Sequence, residues 1–150
     1  MVLLDQEARD FGDSDLIHKT DSLNMIALQE LTESHGWHPK AWIILWHQRT
    51  SFPDGEIWPY FKALINKEIQ NCRVKPSFWV DYEDFREMRS SGKQIYGSMP
   101  GSFKKYPLLD VTRVDSLRAS VGLFPLWYMN KIYDWPLPEG YPETVMLQSK

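Results

Sequence analysis

The sequence predicts an α/β fold: a small three-layer domain with a short parallel sheet built around one βαβ unit, plus an amino-terminal helix. Two short apolar runs, Ala41 to His47 (AWIILWH) and Ser77 to Tyr82 (SFWVDY), are rich in β-branched and aromatic residues. A helix-length amphipathic segment lies between them, which is the pattern of a parallel unit covered on both faces. Sheets of that kind bind ligands beyond the carboxyl ends of their strands. This directs attention to Trp46 to Gly55 and Asp81 to Glu87.

The chain has 150 residues, 43% of them hydrophobic and 14% aromatic, enough for one packed domain over 1–150. Its formal net charge of -3 supplies no basic field for phosphates, which excludes nucleic acid as the expected partner. Cys72 is the single cysteine, so an intrachain disulfide and a thiolate-rich zinc site are both excluded. The start, MVLLDQEARDFGDSD, lacks the basic opening and long apolar run of a secretory signal, and no segment approaches a membrane span. A cytoplasmic protein with no membrane association is the expectation.

Taken in order, residues 1–20 are acidic with few periodic apolar positions and read as a flexible solvated arm. Asp21 suits a helix N-cap, with Leu23, Ile26, Ala27 and Leu31 facing inward and Gly36 as the stop. Pro39 keeps His38 extended and leads into the first strand, with a short helix started by Pro39 as the alternative. Thr50 to Gly55 (TSFPDG) is a turn. From Glu56 to Asn71 the residues Ile57, Tyr60, Phe61, Leu64, Ile65 and Glu68 recur at helical steps, with Pro59 tolerated in the first turn. The second strand, Phe78 to Val80, ends at Asp81, and a short helix runs from Tyr82 to the Ser90-Ser91-Gly92 stop. Gln94 to Pro107 reads as a mobile surface loop. Asp115 suits the cap of a further helix interrupted by Pro125. Leu126 to Trp135 scores equally as helix and strand, and 136–150 reads as an irregular tail.

Complete catalytic motifs are absent from the sequence. His35, His38 and His47 are close in sequence, but Gly36 and Pro39 break the helix that would align them, so no metal site is expected. Neither a phosphate-binding glycine loop nor a dinucleotide turn occurs, and no cofactor is expected. Cys72 falls at the carboxyl end of a helix, away from the helix N-terminus that activates thiols. The carboxylates after the second strand are better candidates. Asp81 and Glu83 are placed to act as acid or base, and Arg49, Asp81 and Asp84 to hold a ligand, although Glu83 and Asp84 equally suit a helix's first turn. Seven tryptophans are many for this length. Most belong in a core, while Trp58 with Tyr60, and Trp135 with Tyr133 and Tyr141, are candidates for a partner surface.

The stretch from Ala41 to Glu87 resembles the start of the TIR-like and heterokaryon-incompatibility-like signalling domains. The counterparts are AWIILWHQR for the first strand and its polar turn, the helix after PDGE, and FWVDYEDF for the second strand with its closing acid. The resemblance implies an α/β signalling fold. Catalytic members use a glutamate in the helix beyond the second strand's loop to cleave NAD, and the corresponding Gly92 to Pro100 has none. The expected function is therefore a non-catalytic interaction or signalling domain that binds another protein through aromatic surface and strand-end loops. The alternative is a small enzyme acting on a nucleotide-like or NAD-like molecule through a strand-end carboxylate.

Overall fold

The computed structural model describes residues 2–142. Seven α-helices form in these residues: α1 Val2–Phe11, α2 Ser14–His35, α3 Trp42–His47, α4 Trp58–Gln70, α5 Val80–Ser90, α6 Val114–Ser120 and α7 Leu126–Tyr133. Among the described residues there is no strand, only an isolated parallel bridge between Gln94 and Leu108. The α/β sheet expected from the sequence is thus replaced by an all-helical architecture. The strand–helix–strand correspondence with TIR-like domains falls with it.

Both apolar runs are helical, and the cause is local. Pro39 and Pro76 each occupy the start of a 3-10 turn, Pro39–Ala41 and Pro76–Trp79, which runs directly into α3 and α5. Proline has a helix-compatible φ and gives up a donor that is unpaired at a helix start anyway. His38 accepts the Lys40 N–H at 3.2 Å and caps the first turn. Ala41, Ile44 and Leu45 are buried while Trp42 is exposed, so burial follows three- and four-residue steps rather than alternation. Asp81 and Glu83 stand in the first turn of α5, where negative charge complements the helix dipole.

The chain divides into two compact units, residues 1–74 and 75–150. In the first, residues 2–11 of the expected acidic arm form α1. Asp13, rather than Asp21, caps α2 by accepting the Asp15 and Leu16 N–H groups. Asp21 lies inside α2 and pairs with Arg9 at 2.5 Å, while Arg9 Nε donates to His47 Nδ1 at 2.9 Å. One guanidinium of α1 therefore ties together α2 and α3. Gly36 ends α2 as expected, at φ 78°, a value that favours glycine. The inward face of α2 carries Asn24, Met25, Leu28 and Thr32; Leu23, Ile26 and Leu31, expected inside, are exposed. Trp58, Phe61 and Ile65 of α4 are fully buried.

In the second unit, Phe103, Leu108, Val114, Leu126 and Tyr141 make one core cluster, with Val111, Trp127 and Leu137 packed against it. The segment Gln94 to Pro107, expected to be mobile, is pinned from inside. The buried Gln94 side chain donates to the Met99 and Tyr106 carbonyls and accepts the Met99 N–H. Within Leu126 to Trp135, residues Leu126–Tyr133 form α7, closed by the left-handed Asp134 at φ 54°. Of the expected irregular tail, residues 136–142 contain no helix or strand. Residues 143–150 lie outside the described part of the chain.

Candidate functional site

A cleft of about 180 Å³ opens in the second unit, lined by Val80, Asp81, Ser98, Arg118, Leu123, Phe124, Met129 and Trp135. Four elements and the α6–α7 connection, which carries Leu123 and Phe124, deliver these groups. Val80 and Asp81 begin α5, and Ser98 comes from the pinned loop. Arg118 projects from α6, while Met129 and Trp135 belong to α7 and the turn that follows it.

The key positioning group is Asp84. Its side chain is fully buried and accepts three backbone N–H groups: Ile95 at 2.6 Å and Tyr96 at 2.9 Å on Oδ1, and Ser98 at 2.7 Å on Oδ2. A carboxylate holding three amides fixes the loop as firmly as a helix cap fixes a terminus. Ser98 is thereby set against the cleft. Its Oγ is closed off from solvent and has the Asp81 carboxyl as its one polar neighbour, short of normal hydrogen-bond geometry. A buried hydroxyl with one imperfectly placed partner keeps hydrogen-bonding capacity that a ligand's polar group can take up.

Arg118 fixes the opposite wall. It is almost fully buried, and its Nε donates to the Phe124 carbonyl at 2.6 Å and Nη1 to the Tyr96 carbonyl at 2.8 Å. Burial pulls its pKa below the ordinary value, and the charges of Asp115 and Asp84 oppose the fall in part. Gly122, left-handed at φ 73°, ends α6 and lets Leu123 N–H return to the Arg118 carbonyl at 2.9 Å. Phe124 follows, 62% exposed, its ring stacked on Tyr128 at 4.8 Å. Asp134 reverses the chain after α7, and Asn130 Nδ2 donates to the Trp135 carbonyl at 2.7 Å, which places Trp135 on the wall.

Asp81 is exposed as a residue, yet crowding around its carboxyl raises its pKa above the ordinary value. The Ser98 hydroxyl works against the rise and the Asp84 charge adds to it. Glu83 accepts the Tyr96 hydroxyl at 2.9 Å; burial first, and this bond second, push the Tyr96 phenol up to about 12. The cleft therefore has mostly apolar walls, with the buried Arg118 guanidinium, one buried hydroxyl and one carboxylate reachable from solvent.

The other residues singled out from the sequence are dispersed. Asp84 is fully buried, with both carboxylate oxygens engaged by backbone N–H groups. Arg49 belongs to the first unit, where its Nη1 donates to the Trp46 carbonyl at 2.9 Å and its guanidinium lies over the Trp46 ring at 4.5 Å. Trp58 is fully buried, its indole N–H bonded to Ser51 Oγ at 3.0 Å, so it is a core residue rather than a partner surface. Tyr60 is half-buried and shares a 2.8 Å hydrogen bond with Thr32. Tyr141 is buried and donates to Asp115, whereas Tyr133 is exposed. Of the expected partner group, Trp135 alone lines the cleft. Cys72 is exposed just past α4.

No sequence motif marks Arg118, Phe124 or Met129 as cleft residues, and Ser98 falls in no complete nucleophile motif. Arg118 did leave a trace in the sequence: it lies four residues after the buried Val114, where an inward helical position calls for an apolar side chain. Ser98 left none, because its setting depends on Asp84 fourteen residues earlier. A larger hollow of about 920 Å³ is bounded by residues including Pro107, Leu108, Asp110 and Pro138. Asp110 there is turned onto its own chain, accepting from Thr112 and Arg113. Among the described residues, no group of three or more His, Cys, Asp or Glu side chains is placed to hold a metal ion, and no helix is long and apolar enough to cross a membrane.

No family model, curated protein or solved structure matches this chain.

Proposed function

We propose that the chain is a protein-interaction domain whose second unit receives one side chain of a partner protein in the Trp135 cleft. The observation that carries this reading is a mostly apolar cleft of side-chain size that sets the buried Ser98 hydroxyl beside the solvent-reachable Asp81 carboxyl on one wall. A partner side chain with an apolar body and a donor at its tip satisfies both parts: the body covers Phe124, Met129 and Trp135, and the tip reaches Ser98 or Asp81. Pockets of this kind, apolar and able to exclude water from one polar contact, are where binding energy concentrates in protein interfaces. The volume suits a single side chain and is well below the several hundred Å³ of typical small-molecule sites.

A displayed random-peptide library panned against the full chain tests the proposal. Enriched peptides are expected to share one aromatic or long donor-tipped residue and to lose roughly tenfold or more in affinity against Trp135→Ala and Phe124→Ala. Peptides that bind both variants as well as the parent protein would place recognition elsewhere and defeat the reading.

A further inference from the structure

The outward face of α2 carries an apolar pair framed by opposite charges. Lys19, Leu23, Ile26 and Glu30 recur at steps of four, three and four, which puts them on one stripe of the helix. All four are exposed, Leu23 and Ile26 at 58% each, while Asn24, Met25, Leu28 and Thr32 occupy the buried face. Lys19 and Glu30 are eleven residues apart, about 16 Å along the axis, too far to pair within one helix. The order of the stripe is charge, apolar, apolar, opposite charge.

That order is self-complementary in one direction only. We propose that α2 is the seam of a homodimer, in which the helix packs antiparallel against α2 of a second copy about a two-fold axis between Leu23 and Ile26. Leu23 of each copy then meets Ile26 of the other, the pairing of alternate seam positions that antiparallel helices make. Lys19 and Glu30 each lie four residues outside the apolar pair, so Lys19 of one copy faces Glu30 of the other at both ends. A parallel pair in register sets Lys19 against Lys19 and Glu30 against Glu30, which like-charge repulsion disfavours. The symmetry satisfies the rule that a two-fold interface uses the same patch on both partners.

One helix face per copy is a small interface by the standard of stable complexes, so the dimer is expected to form at roughly 10⁻⁵ to 10⁻⁴ M. Sedimentation equilibrium of the full chain at low salt tests it. The parent protein is expected to show monomer–dimer exchange, and Leu23→Lys to abolish it. Lys19→Glu and Glu30→Lys are each expected to weaken the dimer by about tenfold, because each replaces two attractions by two repulsions. The double variant Lys19→Glu/Glu30→Lys restores the attraction with signs exchanged and is expected to return to within about twofold of the parent. All the altered side chains are exposed, and far-ultraviolet circular dichroism checks that the helices survive. A parent chain that stays monomeric to about 1 mM, a dimer indifferent to Leu23→Lys, or a double variant as weak as the singles would each overturn the proposal.

Discussion

Replacing Asp84 by alanine removes the acceptor for three backbone N–H groups at once, at a side chain with no solvent exposure. A hydrogen bond to a charged group contributes about 1.5–3 kcal/mol, and a buried donor left unsatisfied costs about 1–3 kcal/mol. Three such donors give an upper sum near 9 kcal/mol, but the space vacated by the carboxyl admits water that pairs with some of them. A net loss of about 3–5 kcal/mol is expected, a large share of the roughly 5–15 kcal/mol that holds a domain together. Asp84→Asn keeps an acceptor for Ile95 and Tyr96 but turns an amide N–H toward the Ser98 N–H, so about half the loss is expected. Urea titration followed by circular dichroism measures the total. Amide exchange at Ile95, Tyr96 and Ser98 reads the second unit alone, which matters in a chain with two compact units. An Asp84→Ala protein that loses less than about 1 kcal/mol and keeps those three amides protected would refute the assignment of Asp84 as the loop's anchor.

Arg118→Lys keeps the charge but cannot reproduce the fork to the Phe124 and Tyr96 carbonyls; a loss of about 1–3 kcal/mol is expected in the same urea assay. Asp81 is the titrating element. Its folded pKa is raised, so its ionisation opposes folding, and stability attributable to it is lost as pH rises from the ordinary aspartate value of 3.8 through the raised one. Asp81→Asn is therefore expected to melt above the parent at pH 7 and to converge with it below pH 3.8; thermal melts across that range decide the sign. Cys72 sits at φ 57°, a left-handed conformation past the end of α4, where glycine carries no Cβ penalty. Because Cys72 is exposed, Cys72→Gly sacrifices no packing and is expected to gain about 0.5–1 kcal/mol by thermal denaturation.

The sequence carried α4 well, because Phe61, Ile65 and Glu68 repeat at helical spacing over a long segment. It misdirected the reading of Ala41 to His47 and Ser77 to Tyr82, where runs of six and three apolar residues fit either period. The deciding information was Pro39 and Pro76, each placed to start a turn rather than to border a strand. On α2 the apolar residues mark both faces, and Met25 and Leu28 compete with Leu23 and Ile26 on equal terms. Only packing chose between them. At the site, Asp81 and Trp135 stood out by type, but their meeting place depends on Asp84 gripping residues 95–98 and on Arg118 gripping Phe124. The Asp84 bonds reach eleven to fourteen residues along the chain and the Arg118 bond six, and no local pattern announces either.

The most direct test of the interaction reading is an amide and indole NMR titration of the full chain with a panel of N-acetyl amino-acid amides, one side chain at a time. Assignment of the Trp135 indole signal through Trp135→Phe makes the cleft visible. Saturable shifts of Trp135 and Ser98 with donor-tipped aromatic or long side chains, and none with glycine or alanine, are the result the cleft predicts. Shifts that bypass both residues, or no saturation with any side chain, would contradict it.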